Sequence, residues 1–392
     1  MIAPAEEAGF ADAIRTAQTR RSPLAIEGLG SKSGLLRPMQ TADTLSTRAY
    51  TGIPLHAPKE LIVTSRAGTT LAELEATLAG AGQRLIAEPP CYAFLGHPTQ
   101  TVGGMVASNL SGPRRIAQGA MRDHLLGIRA VTGRGEIIRS GGRVLKNVTG
   151  LDLCKLFAGS YGTLGVLTEV TLKVLPAPEL TGSLAIAGLD ATRGVAALAA
   201  ALGSPFGVTG AVHLPQEAAM AVGFERSATI VRIEDVAESV PYRLDRLREL
   251  LAEFGPIETL ADADSRPLWQ SIRDAEPLGV EQDDVVWRAS VAPRHGPEVL
   301  NAGQRAGLDG YLDWGGGLVF LAGPAGDGAE AAVTGTVRRL GGNWWLMRAP
   351  ESLRASLAAL PEEPPALAAI RRRVVEAFDP AGILNPGRLH PG

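Results

Sequence analysis

Residues 26–34 read IEGLGSKSG, three glycines and two serines in nine positions directly after a short apolar run. Glycine admits backbone conformations that turn successive N–H groups to one side, and such a nest of amides with hydroxyls beside it binds an anion. Two phosphate-binding patterns fail on spacing. The dinucleotide fingerprint G-x-G-x-x-G finds its first two glycines in Gly28 and Gly30, but Ser33 holds the third place and the chain then meets Pro38 instead of opening a helix. The pattern G-x-x-x-x-G-K-[ST] would end correctly on Lys32 and Ser33, yet Ser31 stands where its last glycine belongs. Taken alone, the segment serves equally as an anion cradle or as a surface turn without a ligand.

Other chemistries are bounded by what surrounds this loop. The two cysteines, Cys91 and Cys154, form no C-x-x-C pair for zinc or an iron–sulfur cluster and no disulfide framework. The six histidines, His56, His97, His124, His213, His295 and His390, lack the H-x-x-x-H spacing of a helix-borne metal site. A formal charge of −3 and a pI near 6.1 argue against a nucleic-acid footprint. The one triple basic run, Arg371–Arg373, falls in a helix-like pattern and reads as a solvated face. The N-terminal stretch has no apolar core of a signal peptide, and no apolar run approaches the ~18 residues of a membrane span. The expected location is the cytoplasm.

The elements that must position the loop are legible as α/β. At 45% hydrophobic and 20% charged, 392 residues suit two or three domains of roughly 150 residues. Phe10, Ile14 and Ala17 repeat at helical spacing, and LAIEG then gives a strand feeding the loop. A second strand (61–68) runs into a helix capped by Thr70 with Glu73 three residues on. Residues 84–87 give a strand, 101–112 a glycine-lined turn with a short helix, 125–141 a hairpin, and 163–176 a strand stopped by Pro176 and Pro178, which marks a domain boundary. Beyond it, strand, helix, two strands and helix (181–189, 191–203, 207–214, 227–232, 238–254) recur as 284–291, 294–306, 307–315, 317–322, 328–341 and 343–348. This predicts a doubled ferredoxin-like plan, an antiparallel sheet with helices on one face. DWGGG (313–317) predicts a tight hairpin, and a final helix through Phe378 leads to FDPAGILNPGRLHPG.

Four segments in order, IEGLGSKSG, EPPCYAFLGHPTQTVGGMVASNLSG, GAMRDHLLGIRAVTGRGE and NVTGLDLCKLFAGSYGTLGVLTEV, with the tail FDPAGILNPGR, resemble the flavoprotein superfamily of p-cresol methylhydroxylase and vanillyl-alcohol oxidase. The resemblance covers about residues 5–178 and 364–388. It implies an α+β protein: an FAD-binding domain in two α/β parts (1–178), an antiparallel cap (179–350), and a return segment (351–392). It also assigns the flavin-binding residues. Gly28, Leu29, Gly30, Ser31, Lys32 and Ser33 match the pyrophosphate loop. Pro90, Thr101, Gly103, Gly104, Ser108 and Gly112 match the second segment, and Gly162, Gly165, Val166 and Glu169 the segment beside the adenine half. Members with covalent flavin place a His in the loop or a Cys before the second glycine pair. Here Gln100, Thr101 and Val102 precede Gly103, so the resemblance implies non-covalent FAD.

Within that superfamily, VWRASVAP, DWGGG and GGNWWLMR resemble the smaller FAD-binding subunits of bacterial glycolate oxidases. The implied reaction is oxidation of a 2-hydroxy acid, glycolate to glyoxylate, in a complex with a second flavoprotein subunit and an iron–sulfur subunit. That complex would lie in the cytoplasm or at the cytoplasmic face of the inner membrane. A guanidinium would clamp the substrate carboxylate, for which Arg288 and Arg348 are candidates, with Asn385 as a third catalytic candidate. Each arginine reads equally as an exposed strand residue, and Trp287, Trp344 and Trp345 read as packing. Related D-2-hydroxy-acid dehydrogenases carry a histidine cluster for a metal, and only His213 and His295 stand in this region, so no metal is expected. The alternatives are a self-sufficient D-lactate-type dehydrogenase and a non-catalytic flavoprotein module serving partners.

Overall fold

The computed structural model describes residues 1–97, 99–143, 150–326 and 328–390, so Pro98, Asn147–Thr149 of the fourth segment and the terminal Pro391 and Gly392 lie outside the described residues. Helix α1 (Glu7–Arg20) buries Phe10, Ala11, Ile14 and Ala17 along one stripe. It packs with strand β1 (Leu24–Glu27), which pairs in parallel with β2 (Asp43–Ser46). The glycine loop leaves directly from the end of β1.

A six-stranded antiparallel sheet follows: β3 (Leu55–Ala57), β4 (Ile62–Arg66), β5 (Gln83–Leu85), β6 (Leu125–Thr132), β7 (Ile137–Gly141) and β8 (Gly165–Pro176). Its order is β3-β4-β8-β6-β7, with β5 alongside β8. The twelve residues of β8 make it the spine, and the strand ends at Pro176. Against it pack α2 (Leu71–Ala79), α3 (Val102–Ser108) and α5 (Leu153–Phe157); α4 (Arg115–Gln118) follows α3. The Thr70 hydroxyl accepts the Glu73 amide at the start of α2.

The chain then builds two βαββαβ units. The first is β9 (Leu180–Ala187), α6 (Ala191–Leu202), β10 (Gly210–Leu214), the short α7 (Gln216–Met220), β11 (Ala228–Asp235), α8 (Ser239–Leu251) and β12 (Ile257–Leu260). After α9 (Asp262–Arg273) comes the second: β13 (Asp284–Ser290), α10 (Gly296–Arg305), β14 (Asp309–Asp313), β15 (Leu318–Pro324), α11 (Ala329–Arg339) and β16 (Asn343–Arg348). The eight strands run in the order β12-β9-β11-β10-β14-β15-β13-β16, two ferredoxin-like halves joined where His213 of β10 pairs with Leu312 of β14. Short α12 (Glu351–Arg354) and α13 (Pro365–Phe378) return the chain to the first sheet, where Val374, Val375 and Phe378 pack.

The faces of the large sheet differ in kind. One is covered by α6, α8, α10 and α11, and buries Trp287 and Trp344. The other packs on the first part of the chain, through Leu35, Leu36, Tyr92 and Leu110, together with α7 and α9. Those two helices and β12 were not anticipated from the sequence. β12 extends the sheet at its edge, and the two helices add a second layer beside the expected one, with Trp269 of α9 fully buried and its indole N–H donating to Ser183 at 2.9 Å.

Candidate functional site

A cleft open to solvent lies where the glycine loop, the N-terminal part of α3, the start of β8 and the C-terminal tail converge. It is lined by Gly28, Leu29, Gly30, Ser31, Lys32 and Ser33, by Thr101, Gly103, Gly104 and Ser108, by Gly162, Gly165 and Val166, and by Asn385. The remaining sequence-predicted positions lie elsewhere. Pro90 lends its carbonyl to Gln100, Gly112 backs onto the Glu88 carbonyl, and Glu169 pairs across the sheet with Arg66 and Arg129.

The loop has the features of an anion site. Among the described residues the amides of Leu29, Gly30, Ser31 and Lys32 donate to no protein acceptor, whereas Ser33 N–H turns back to Gly30. Two cations stand over it. Lys32 Nζ donates to Gln100 at 2.6 Å, and burial pulls its pKa down to about 8. Arg388 is 5% exposed, donates to the carbonyls of Ser33 (3.1 Å) and Lys32, and is pulled down to about 10 by burial and then by nearby Arg354. Neither cation has a carboxylate partner among the described residues. Desolvated cations and orphaned amides around one cleft fit a diphosphate, whose charge would answer both.

The glycines contribute in different ways. Gly30 needs its φ of +79°, and a β-carbon there would still have room, 3.5 Å from Glu27. At Gly28 a β-carbon would fall 2.1 Å from Thr101 Oγ1, so β1 and α3 interlock there. Thr101 also caps α3 by accepting the Gly104 amide. Arg388 and Tyr161 were missed by the sequence reading of the site. Arg388 sits in the tail already singled out, but nothing in its neighbours distinguishes it from a solvated arginine.

Tyr161 links the cleft to the large sheet: it lines the cleft and packs with the sheet's inward-facing cluster. In that face the register sets Tyr311, Phe320, Arg288 and Trp345 directly opposite one another as a row across four strands. Arg288 is 6% exposed and lies over the rings of Trp314 (5.0 Å to the centroid) and Trp345 (5.3 Å). It has no ion pair or hydrogen bond among the described residues, and its Nε is buried without a partner. Arg348 is engaged otherwise, donating to the carbonyls of Phe94 (2.8 Å) and Gln282 (2.5 Å). Trp345 packs on the sheet's cluster, as read from the sequence, and its ring also lies under Arg288.

Asn385 is bound to backbone on every polar atom. Its Oδ1 accepts Ile26 N–H at 2.7 Å, and its Nδ2 donates to Tyr161 O at 2.6 Å and Ile26 O at 3.3 Å. That geometry positions the cleft wall.

A family model described as an FAD binding domain matches residues 1–141. The chain is 34% identical over 377 residues to the glycolate oxidase subunit GlcE of Escherichia coli (strain K12), covering 96% of this chain and 95% of that one. It is 32% identical over 177 residues to a D-lactate dehydrogenase of Archaeoglobus fulgidus, covering 45% of this chain and 38% of that one. In fold it is similar to p-cresol methylhydroxylase solved with substrate bound, with a TM-score of 0.74 over 99% of this chain and 88% of that one at 12% identity.

Proposed function

The chain belongs to the glycolate oxidase GlcE family, and from that premise we propose that it is the FAD-holding subunit of a complex oxidising glycolate to glyoxylate, with the 2-hydroxy acid between the cleft and the large sheet. Bound FAD supplies acceptance of the substrate's α-hydrogen and its electron pair. The chain's own residues hold and orient. Lys32, Arg388 and the loop amides take the diphosphate, and Asn385 fixes Tyr161 and β1 around it. Residues 1–178 with 351–392 form the FAD-binding part, and 179–350 the cap.

The observation that carries the substrate reading is Arg288, a buried guanidinium with no anion of its own among the described residues, lying over the rings of Trp314 and Trp345. A cation left unpaired in a dry site is destabilising, and a substrate carboxylate completes it bidentately. Of the two candidate arginines, Arg288 is the one whose hydrogen-bonding capacity is open.

Electrons must then leave the chain. With two cysteines in 392 residues it has no set for a four-cysteine cluster, so a second flavoprotein subunit and an iron–sulfur subunit are assigned the onward transfer. We place the subunit in the cytoplasm, reaching the inner membrane through those partners; no helix among the described residues is long and apolar enough to cross a membrane.

The test is anaerobic flavin reduction by glycolate in the co-expressed complex, comparing wild type with Arg288→Gln at equal FAD content. A loss of kcat/KM equivalent to about 3–5 kcal/mol is expected when one partner of a buried ion pair is removed. An unchanged Arg288→Gln would refute the anchor. Brisk turnover by the isolated chain would establish a self-sufficient dehydrogenase instead.

A further inference from the structure

Oxidising a 2-hydroxy acid requires a group that takes the hydroxyl proton while the α-hydrogen departs. Resting on the reading that glycolate binds at Arg288, we propose that Asp313 is that base. Its Oδ1 is held by the backbone, and the register sets the residue on the same face of the sheet as Arg288.

Asp313 ends β14 and is 2% exposed. The register sets Asp313, Leu318 and Ser290 opposite one another, one row beyond the row of Tyr311, Phe320 and Arg288 and on the same face. Its Oδ1 accepts the Trp314 amide at 2.6 Å. Trp314 has a φ of +53°, an uncommon conformation for a bulky residue, and is fixed further by its indole N–H, which donates to Gly112 O at 3.1 Å. The same indole carries Arg288 on its ring. One elbow therefore sets both the carboxylate anchor and the carboxyl. Among the described residues Asp313 has no ion pair, and Oδ2 accepts no hydrogen bond.

Elimination points the same way. Tyr92, Tyr161 and Tyr311 on this face are all pushed up by burial, so each stays protonated at neutral pH. Glu88 and Glu234 are tied to Arg114 and Arg232. His213 lies toward α6, bonded to Thr229, with burial pulling it down to about 4. Burial raises Asp313 to about 7, with Glu88 adding to the rise and Trp314 N–H, Arg232 and Arg288 opposing it. A base poised near the working pH is what proton abstraction needs. The step balances: the substrate O–H bond breaks and its proton goes to Oδ2, the C–H hydrogen and its electron pair reduce FAD, and C=O forms in the oxidised acid.

The experiment uses the assembled complex with Asp313→Asn, which keeps an oxygen for the Trp314 amide, and Asp313→Glu. Anaerobic flavin reduction by glycolate should rise with pH through about 7 in wild type, fall roughly 100-fold or more in Asp313→Asn, and recover in part in Asp313→Glu. Oxalate, which has no α-hydrogen, should perturb the flavin spectrum of Asp313→Asn with a near wild-type Kd, because Arg288 is untouched. A carboxylic-acid C=O infrared band should titrate near pH 7 in wild type and be missing in Asp313→Asn. Wild-type reduction rates in Asp313→Asn, or loss of oxalate binding together with rate, would overturn the base. A wild-type flavin that glycolate never reduces would overturn the function and the base with it.

Discussion

Asn385 and Ile26, 359 positions apart, exchange hydrogen bonds in both directions: Ile26 N–H donates to Asn385 Oδ1 at 2.7 Å, and Asn385 Nδ2 donates back to Ile26 O at 3.3 Å. The chain end is thereby fastened to the strand that launches the glycine loop. Asn385 has a φ of +45°, which asparagine and glycine tolerate best. Asn385→Gly should therefore keep the backbone and lose only the side-chain bonds, weakening FAD binding by about 1–3 kcal/mol. Flavin-fluorescence titration of the apoprotein checks this, and an unchanged Kd would make the clasp irrelevant to the cleft.

Lys32 predicts a pH dependence. With its pKa lowered to about 8 by burial, the apoprotein loses this proton as pH rises through 8, while a bound diphosphate holds the proton on. FAD affinity should fall above about pH 8, and Lys32→Gln should bind more weakly at neutral pH by about 1.5–3 kcal/mol and lose the slope. The stability of the apoprotein moves the other way. Between about 8 and 10.5 the unfolded chain holds the extra proton, so stability rises with pH in that window.

How far this was readable follows from the physics of each part. The loop at 26–34 shows itself because glycine and serine spacing is local. The doubled cap plan shows itself because its long strands and amphipathic helices carry clear periods. The fourth strand of the first half, β12, does not: an edge strand of four residues, none of them buried, has no alternation to read. Helix α9 is hidden by Pro267 inside it, a residue that ordinarily argues against helix. Arg388 is invisible for a different reason, since its partners Lys32 and Ser33 are more than 350 residues away and only closure of the chain brings them together.

The two loop glycines should separate by experiment. Gly30→Ala places a methyl at ordinary contact distance from Glu27 but in a left-handed backbone, at a cost of about 1–2 kcal/mol. Gly28→Ala drives a methyl against the Thr101 side chain and forces β1 away from α3, so it should lower FAD content more than Gly30→Ala does. Flavin-to-protein absorbance ratios of the purified variants give the order, and the reverse order would refute the interlock.

The two parts of the chain are joined by buried charge. Arg232 of β11 donates to Glu88 at 2.9 and 3.0 Å, and Arg114 donates to Glu234 at 2.7 and 2.8 Å. Arg232→Met takes one of the two cations from buried Glu88, leaving Arg114 alone to hold it, and should cost about 3–5 kcal/mol in urea unfolding. Burial raises the Glu88 pKa, but Arg114 and Arg232 together hold it below 4.5, so its contribution to stability is full above that value and lost as pH falls through the lowered one. In Arg232→Met the acid transition should begin at higher pH. A transition unmoved by the substitution would show that the network does not hold the parts together.

The flavin should be held without a covalent bond. No His or Cys is among the described residues lining the cleft. Cys91 lies within electrostatic reach of Lys32, but burial and Asp274 push its pKa up. The thiolate needed to attack a flavin is thus scarce at neutral pH. Its amide is also bound to Asp274 at 2.7 Å, which fixes the backbone there. His97 is exposed on the loop before the second glycine pair. Acid precipitation should release all FAD to the supernatant from wild type, and equally from Cys91→Ser and His97→Ala. Flavin retained in the washed pellet of wild type and lost in one of those variants would identify a linkage and overturn this expectation.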